Sequence, residues 1–153
     1  MSTVQQRGLA TATTVPVINY NEFWPVPNPD ANIGFHDSVH FGDAQPDKTV
    51  RIDGSIGPNL TPAAVYLIVI PTATGNIRWS GNYDFGLQGT EVYNATTGAL
   101  AATTTAVVIN VITRIALPIA GLTAGDQLGI EFTGDLNAAA NTVSYHVLGV
   151  EVR

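Results

Sequence analysis

From Ile77 to Phe85, large apolar residues fall on alternate positions. Ile77, Trp79, Tyr83 and Phe85 alternate with Arg78, Ser80, Asn82 and Asp84, and Gly81 stands in register on the apolar side. A period of two marks a strand with one buried face, because successive side chains of an extended chain point to opposite sides. The same period returns in Phe35, Val39 and Phe41, opposed by His36, Ser38 and His40. It returns again in Val50 and Ile52 against Arg51 and Asp53, and in Leu128, Ile130 and Phe132 against Gln127, Gly129 and Glu131. No window of ten or more residues carries a helical period. Residues 99–106 have the alanines for a helix, but also three consecutive threonines.

Three runs are apolar on both faces or nearly so: residues 64–70, 106–119 and 143–152. They read as central strands, or as strands whose outer side a partner covers. Turn formers punctuate the chain at Asp53-Gly54, Gly57-Pro58, Thr74-Gly75-Asn76, Thr97-Gly98, Gly121, Gly125-Asp126 and Gly134-Asp135. Seven or eight short strands with turns between them predict an all-β, antiparallel β-sandwich over residues 32–153, jelly-roll-like in topology.

Residues 1–31 differ from the rest. They hold four of the nine prolines, and Trp24-Pro25-Val26-Pro27-Asn28-Pro29 cannot form a helix or a central strand. The expectation is an extended arm. Val15, Val17, Ile18, Tyr20, Phe23 and Trp24 give it large apolar groups that need a surface, either the arm's own domain or a neighbouring subunit. Tyr20, Phe23, Trp24, Pro25 and Pro27 are the candidate contacts with a neighbouring subunit, with Trp24 as an anchor entering a neighbour's pocket.

Charge and composition narrow the function. Charged residues are 12% of the chain and hydrophobic ones 45%, so the surface is built of Thr, Ser, Asn, Gly and Ala, which suits a protein packed against others. The net charge is −6, and Arg7, Lys48, Arg51, Arg78, Arg114 and Arg153 are scattered. Neither nucleic acid nor an anionic membrane is expected as a partner. There is no cysteine, which removes disulfides and thiolate chemistry. Residues 92–113 carry no charge, yet Asn94, Thr96, Thr97, Gly98 and Asn110 break the run as a membrane span. No secretory signal pattern stands at residues 1–7.

Chemistry is sparse. His36 and His40 would converge on a metal if helical, but on a strand they stand about 13 Å apart. No metal or other cofactor is expected. His146 reads as a structural residue in the last strand. Among the carboxylates, Asp43, Asp53, Asp126 and Asp135 adjoin glycines and read as turn formers, whereas Asp37 and Asp84 fall within strands. Residues 43–47 read as an acidic loop. A glycosidase would need two carboxylates across one cleft, with Asp37, Asp84 and Glu131 the residues to watch. No nucleophile elbow or phosphate loop appears, and the expectation is that the chain is not an enzyme.

The C-terminal third carries a recognisable pattern. Leu122-Thr123-Ala124-Gly125-Asp126-Gln127-Leu128-Gly129-Ile130-Glu131-Phe132 is followed, after a loop, by Asn141-Thr142-Val143-Ser144-Tyr145-His146-Val147-Leu148-Gly149-Val150-Glu151-Val152. With the tryptophan-bearing stretch 76–85 before it, residues 60–153 resemble the small jelly-roll domains of tailed-bacteriophage virion proteins. Those domains often place Arg-Asp after the penultimate strand. Thr133-Gly134-Asp135 stands here instead, so no contact of that arginine carries over. The resemblance implies a capsid decoration (cement) protein or head fibre, and the lack of a shaft or coiled coil favours decoration. It further implies a homotrimer on the capsid exterior, bound to the major capsid protein and made in the host cytoplasm. The alternative it implies is a tail-fibre or receptor-binding module holding host glycans.

Overall fold

A computed structural model describes residues 21–153, and among them there is no helix. The strands are β1 (Glu22–Pro25), β2 (Ala31–Ile33), β3 (His36–Phe41), β4 (Lys48–Ser55), β5 (Val65–Pro71), β6 (Gly75–Leu87), β7 (Thr96–Val107), β8 (Thr113–Leu117), β9 (Asp126–Gly134) and β10 (Tyr145–Val152). One sheet has the order β2-β3-β10-β5-β8, with β1 also on β10, and the other has the order β4-β9-β6-β7. Antiparallel partners nest around the β6–β7 hairpin: β5 with β8, β4 with β9, and β3 with β10. That is one long hairpin rolled into two layers, the jelly roll expected from the turn spacing.

The alternating positions fill the space between the sheets. Ile77, Trp79 and Phe85 of β6, Leu128, Ile130 and Phe132 of β9, and Val50 and Ile52 of β4 face Phe41, Val65, Leu67, Val69, Tyr145, Val147, Val150 and Val152. Aromatic rings occupy the centre: Phe41 stacks on Tyr145 at 5.1 Å, and Phe132 contacts both Phe41 and Trp79 at 5.7 Å. A smaller apolar cluster of Ile68, Ile70 and Leu148 lies on the outer side of the larger sheet, backed by Ile33 and Tyr66.

In β10 the positions that enter the main core change parity, from Tyr145 and Val147 to Val150 and Val152. A register shift against β5 between Val147 and Gly149 allows this, one extra residue re-phasing the strand. The run 143–152 therefore looks apolar on both faces partly because its inward face switches. Gly149 is also where β1 crosses, and a Cβ there would lie 2.2 Å from the Trp24 carbonyl oxygen.

Several expectations need correction. Asp53-Gly54 and Thr97-Gly98 are not turns but lie inside β4 and β7. The run 106–119 is not one central strand: it is the end of β7, a loop at 108–112, and β8 at a sheet edge. Phe35 does not share a face with Val39 and Phe41, because it sits at the tip of the β2–β3 hairpin and is fully exposed. Within the stretch expected as an arm, Glu22–Pro25 form β1 on β10 and Ala31 opens β2, which leaves the division at residue 31 untouched, and residues 1–20 lie outside those described.

Candidate functional site

Of the contact residues expected on the arm, Tyr20 lies outside the described residues. Strand β1 pairs with β10 in the register Phe23↔Glu151, Trp24↔Val150 and Pro25↔Gly149. It is an edge strand, a setting in which a proline whose nitrogen faces outward removes no ladder bond. Trp24, half-buried, packs on the chain's own core and lies over Gly54, where a Cβ would sit 2.3 Å from the indole. Its surface is thus its own domain. Phe23 faces the other way and is 51% exposed, and Pro25 and Pro27 are exposed beside it.

A polar cluster lies where β3 meets β10, and the sequence did not pair its members. His146 is opposite His40, with ring centroids 4.9 Å apart. The buried Ser38 hydroxyl lies 3.3 Å from the Ala31 carbonyl and 2.8 Å from Nδ1 of His146, and the His146 tautomer sets the direction of the shorter bond. Burial first, and then the neighbouring His40, hold His146 below the ordinary histidine value against the pull of Asp30. Asp30 accepts from the His40 amide (2.9 Å) and from Lys48, whose ammonium also donates to the His40 carbonyl at 2.7 Å. Burial disfavours charge on Asp30, but these bonds outweigh it and hold its carboxyl below the usual range. Ser38 is fully buried and its hydroxyl already engaged, so this triplet orders two strands and presents no nucleophile.

The solvent face of the four-stranded sheet forms an open groove of about 680 Å³. Register aligns Asp53, Gly129, Asp84 and Thr97 in one row across the strands, and Arg51, Glu131, Asn82 and Ala99 in the next. Arg51 pairs with Glu131 at 2.7 Å, and Asp53 accepts a 3.4 Å bond from Gln127. Of the carboxylates expected to share a cleft, Asp84 and Glu131 do so, joined by Asp53, while Asp37 lies on β3 in the other sheet. The alternation had marked these residues as solvent-facing. Which strands lay side by side was the missing information, and only the nested pairing supplies it. Such a row of amide and carboxylate groups can hydrogen-bond the hydroxyls of a neutral polyol. The acidic loop 43–47 is structural instead. Asp43 accepts from Asn141 and Asp47 from the Leu136 amide, which ties the β3–β4 and β9–β10 connections together. Among the described residues no group of three or more His, Asp or Glu side chains is placed to hold a metal.

The turn that opens β9 has the construction its sequence suggests. Asp126 is buried, and its carboxylate accepts from the Thr123 amide at 2.7 Å and from the Thr123 hydroxyl at 3.3 Å. At the opposite end, the loop 108–112 is pinned by Asn110 N–H to the Pro71 carbonyl (2.9 Å) and Ile109 N–H to Thr74 Oγ1 (3.0 Å). The pinned backbone leaves Val108, Ile109, Val111 and Ile112 between 48% and 60% exposed. Val92 and Tyr93, in the β6–β7 connection, are more exposed still.

No protein-family model and no curated protein sequence matches the chain.

Proposed function

We propose that this chain is a non-enzymatic structural virion protein of the capsid-decoration kind, seated on the outside of a phage head through contacts with the major capsid protein. The observation that carries the reading is where the apolar surface lies. Eight large apolar side chains (Phe23, Phe35, Val92, Tyr93, Val108, Ile109, Val111 and Ile112) stand about half exposed or more, on hairpins, edges and end loops of a rigid sandwich. Exposed apolar groups gathered in patches mark contact sites between proteins. Several separate patches on one small domain suit a component touched by several neighbours at once. Phe23, beside the start of the described chain, is the contact residue this reading retains from the arm, since Trp24 is committed to its own core. Self-association belongs to the same reading, and the trimer implied by the sequence resemblance is one way to close it.

The test is the protein content of purified particles. The chain is expected at a fixed ratio to the major shell protein, and heads stripped of it should take it up again from solution. Phe23→Asp should lower that uptake at least tenfold. Particles that lack the chain altogether would sink the proposal.

A second reading, glycan binding by a receptor-recognition module, is favoured by the open groove over β4, β9, β6 and β7, where Asp53, Asn82, Asp84 and Glu131 stand beside Tyr83. A glycan array with the full chain separates the two. Binding that disappears in Asp84→Asn would support it, and a blank array would favour decoration.

A further inference from the structure

The described strands leave five open sheet edges, those of β1, β2, β8, β4 and β7, and an open edge is a template for another strand unless it is short, charged or covered. Four of the five are guarded, the β1 edge by its length of four residues and by Glu22 and Pro25. The β2 edge is three residues long and lies next to Asp30. The β8 edge is five residues long and carries Arg114, paired with Glu151. The β4 edge carries Lys48, Arg51 and Asp53, and β1 lies against it with Trp24 over Gly54.

The β7 edge is long, uncharged and, among the described residues, uncovered, although one extra residue at Ala101-Ala102 bulges it against Ser80 of β6. Strand β7 is twelve residues long, about 40 Å at ordinary strand rise, and among the described residues bonds to β6 alone. It has no charge and no proline, and its exposed positions are Thr96, Thr97, Ala99, Thr104, Ala106 and their like, small enough to let a second backbone approach. Val92 and Tyr93 lie beyond one end and Val108, Ile109, Val111 and Ile112 beyond the other, so an edge with unpaired backbone groups is framed by apolar side chains.

We infer that β7 is the self-association edge of this protein: the β7 of a second copy pairs with it, antiparallel, across a two-fold axis. Charge identifies the occupant. Across a two-fold, residues meet their own copies or near neighbours from the same stretch, so any net charge in the strand opposes itself. The chain carries −6, yet residues 92–113 carry no charge at all. An edge meant for a foreign charged partner would carry the complement, whereas self-pairing asks for neutrality. The product is one continuous eight-stranded sheet shared by two sandwiches, with the end loops closing over the joint. This edge shares with the decoration reading the premise that the chain assembles, but the two are tested apart: self-association needs no particle, and particle uptake needs no β7 pairing.

The experiment is native mass by light scattering on the full chain from about one to a few hundred micromolar. Alongside it run Ala102→Lys with Ala106→Lys on the edge, and Asn59→Lys with Asn137→Lys as a control of equal charge. Far-UV circular dichroism checks that each variant is folded. The expected result is a mass twice the 16.1 kDa of one chain, halved by the edge pair and kept by the control pair. Wild-type protein that is monomeric throughout, or trimeric, or whose mass survives the folded edge variant, overturns the inference. Should the edge variant not fold, slowed hydrogen exchange of β7 amides at high protein concentration decides instead, and β7 amides no slower than in dilute protein overturn it.

Discussion

Protonating His146 in the folded chain is opposed by its burial in β10 and by the His40 ring 4.9 Å away. The Asp30 carboxylate, itself occupied by Lys48 and the His40 amide, only partly offsets this. The unfolded chain takes up that proton near pH 6.5, so between 6.5 and the lower folded value the unfolded state binds more protons. Stability is therefore whole above pH 6.5, falls as pH drops through this window, and levels off beneath it. Asp30, with its folded value also lowered, gives a separate loss that begins only below its ordinary 3.8. Urea midpoints measured at pH 7.5 and 5.5 should show the first loss in the wild type and a much smaller one in His146→Gln. Equal losses in both would place the titration elsewhere. None of this pairing was legible in the sequence. His36 and His40 stand out there because they are close in the chain, while His146, a hundred residues away, is the one that meets His40 across the ladder.

At the scale of strands, the alternating stretches 77–85 and 128–132 were legible because each keeps one face buried and one wet along its whole length. What blurred the others was a change of phase or a composition with two uses. Asp53-Gly54 has the composition of a turn, yet β4 runs through it because the missing side chain of Gly54 makes the seat for Trp24. Trp24 in turn holds β1 on β10, so that an arm segment becomes a strand. Trp24→Ala should cost roughly 2–3 kcal/mol, below the 3–5 kcal/mol usual for a fully buried ring because the indole is half-buried. Gly54→Ala should cost a comparable amount by pushing the ring off its seat. The double variant should be far less than additive, since once the indole is gone the new methyl has room. Urea unfolding of the four proteins measures the cycle, and full additivity would mean that the two residues do not share one contact.

For the molecule as a whole, what decides behaviour is the contrast between an acidic body and a neutral side. The all-β character, the sandwich and the run of uncharged residues were all legible in the sequence. Which side of the fold that run occupies was not, because the nested pairing alone makes β7 an outermost strand. Two copies of charge −6 repel each other over distances comparable to the screening length. If they meet along β7, the joint contains no ion pairs for salt to weaken. The exposed pairs, such as Arg51 with Glu131 and Arg114 with Glu151, lie within each copy. Raising the salt from about 0.01 M to 1 M, which shortens the screening length from about 30 Å to about 3 Å, should therefore tighten self-association, on the order of threefold or more by removal of the net repulsion. An association constant that falls with salt, measured by sedimentation equilibrium, would mean that oppositely charged groups meet across the contact and that the neutral edge is not the surface in use.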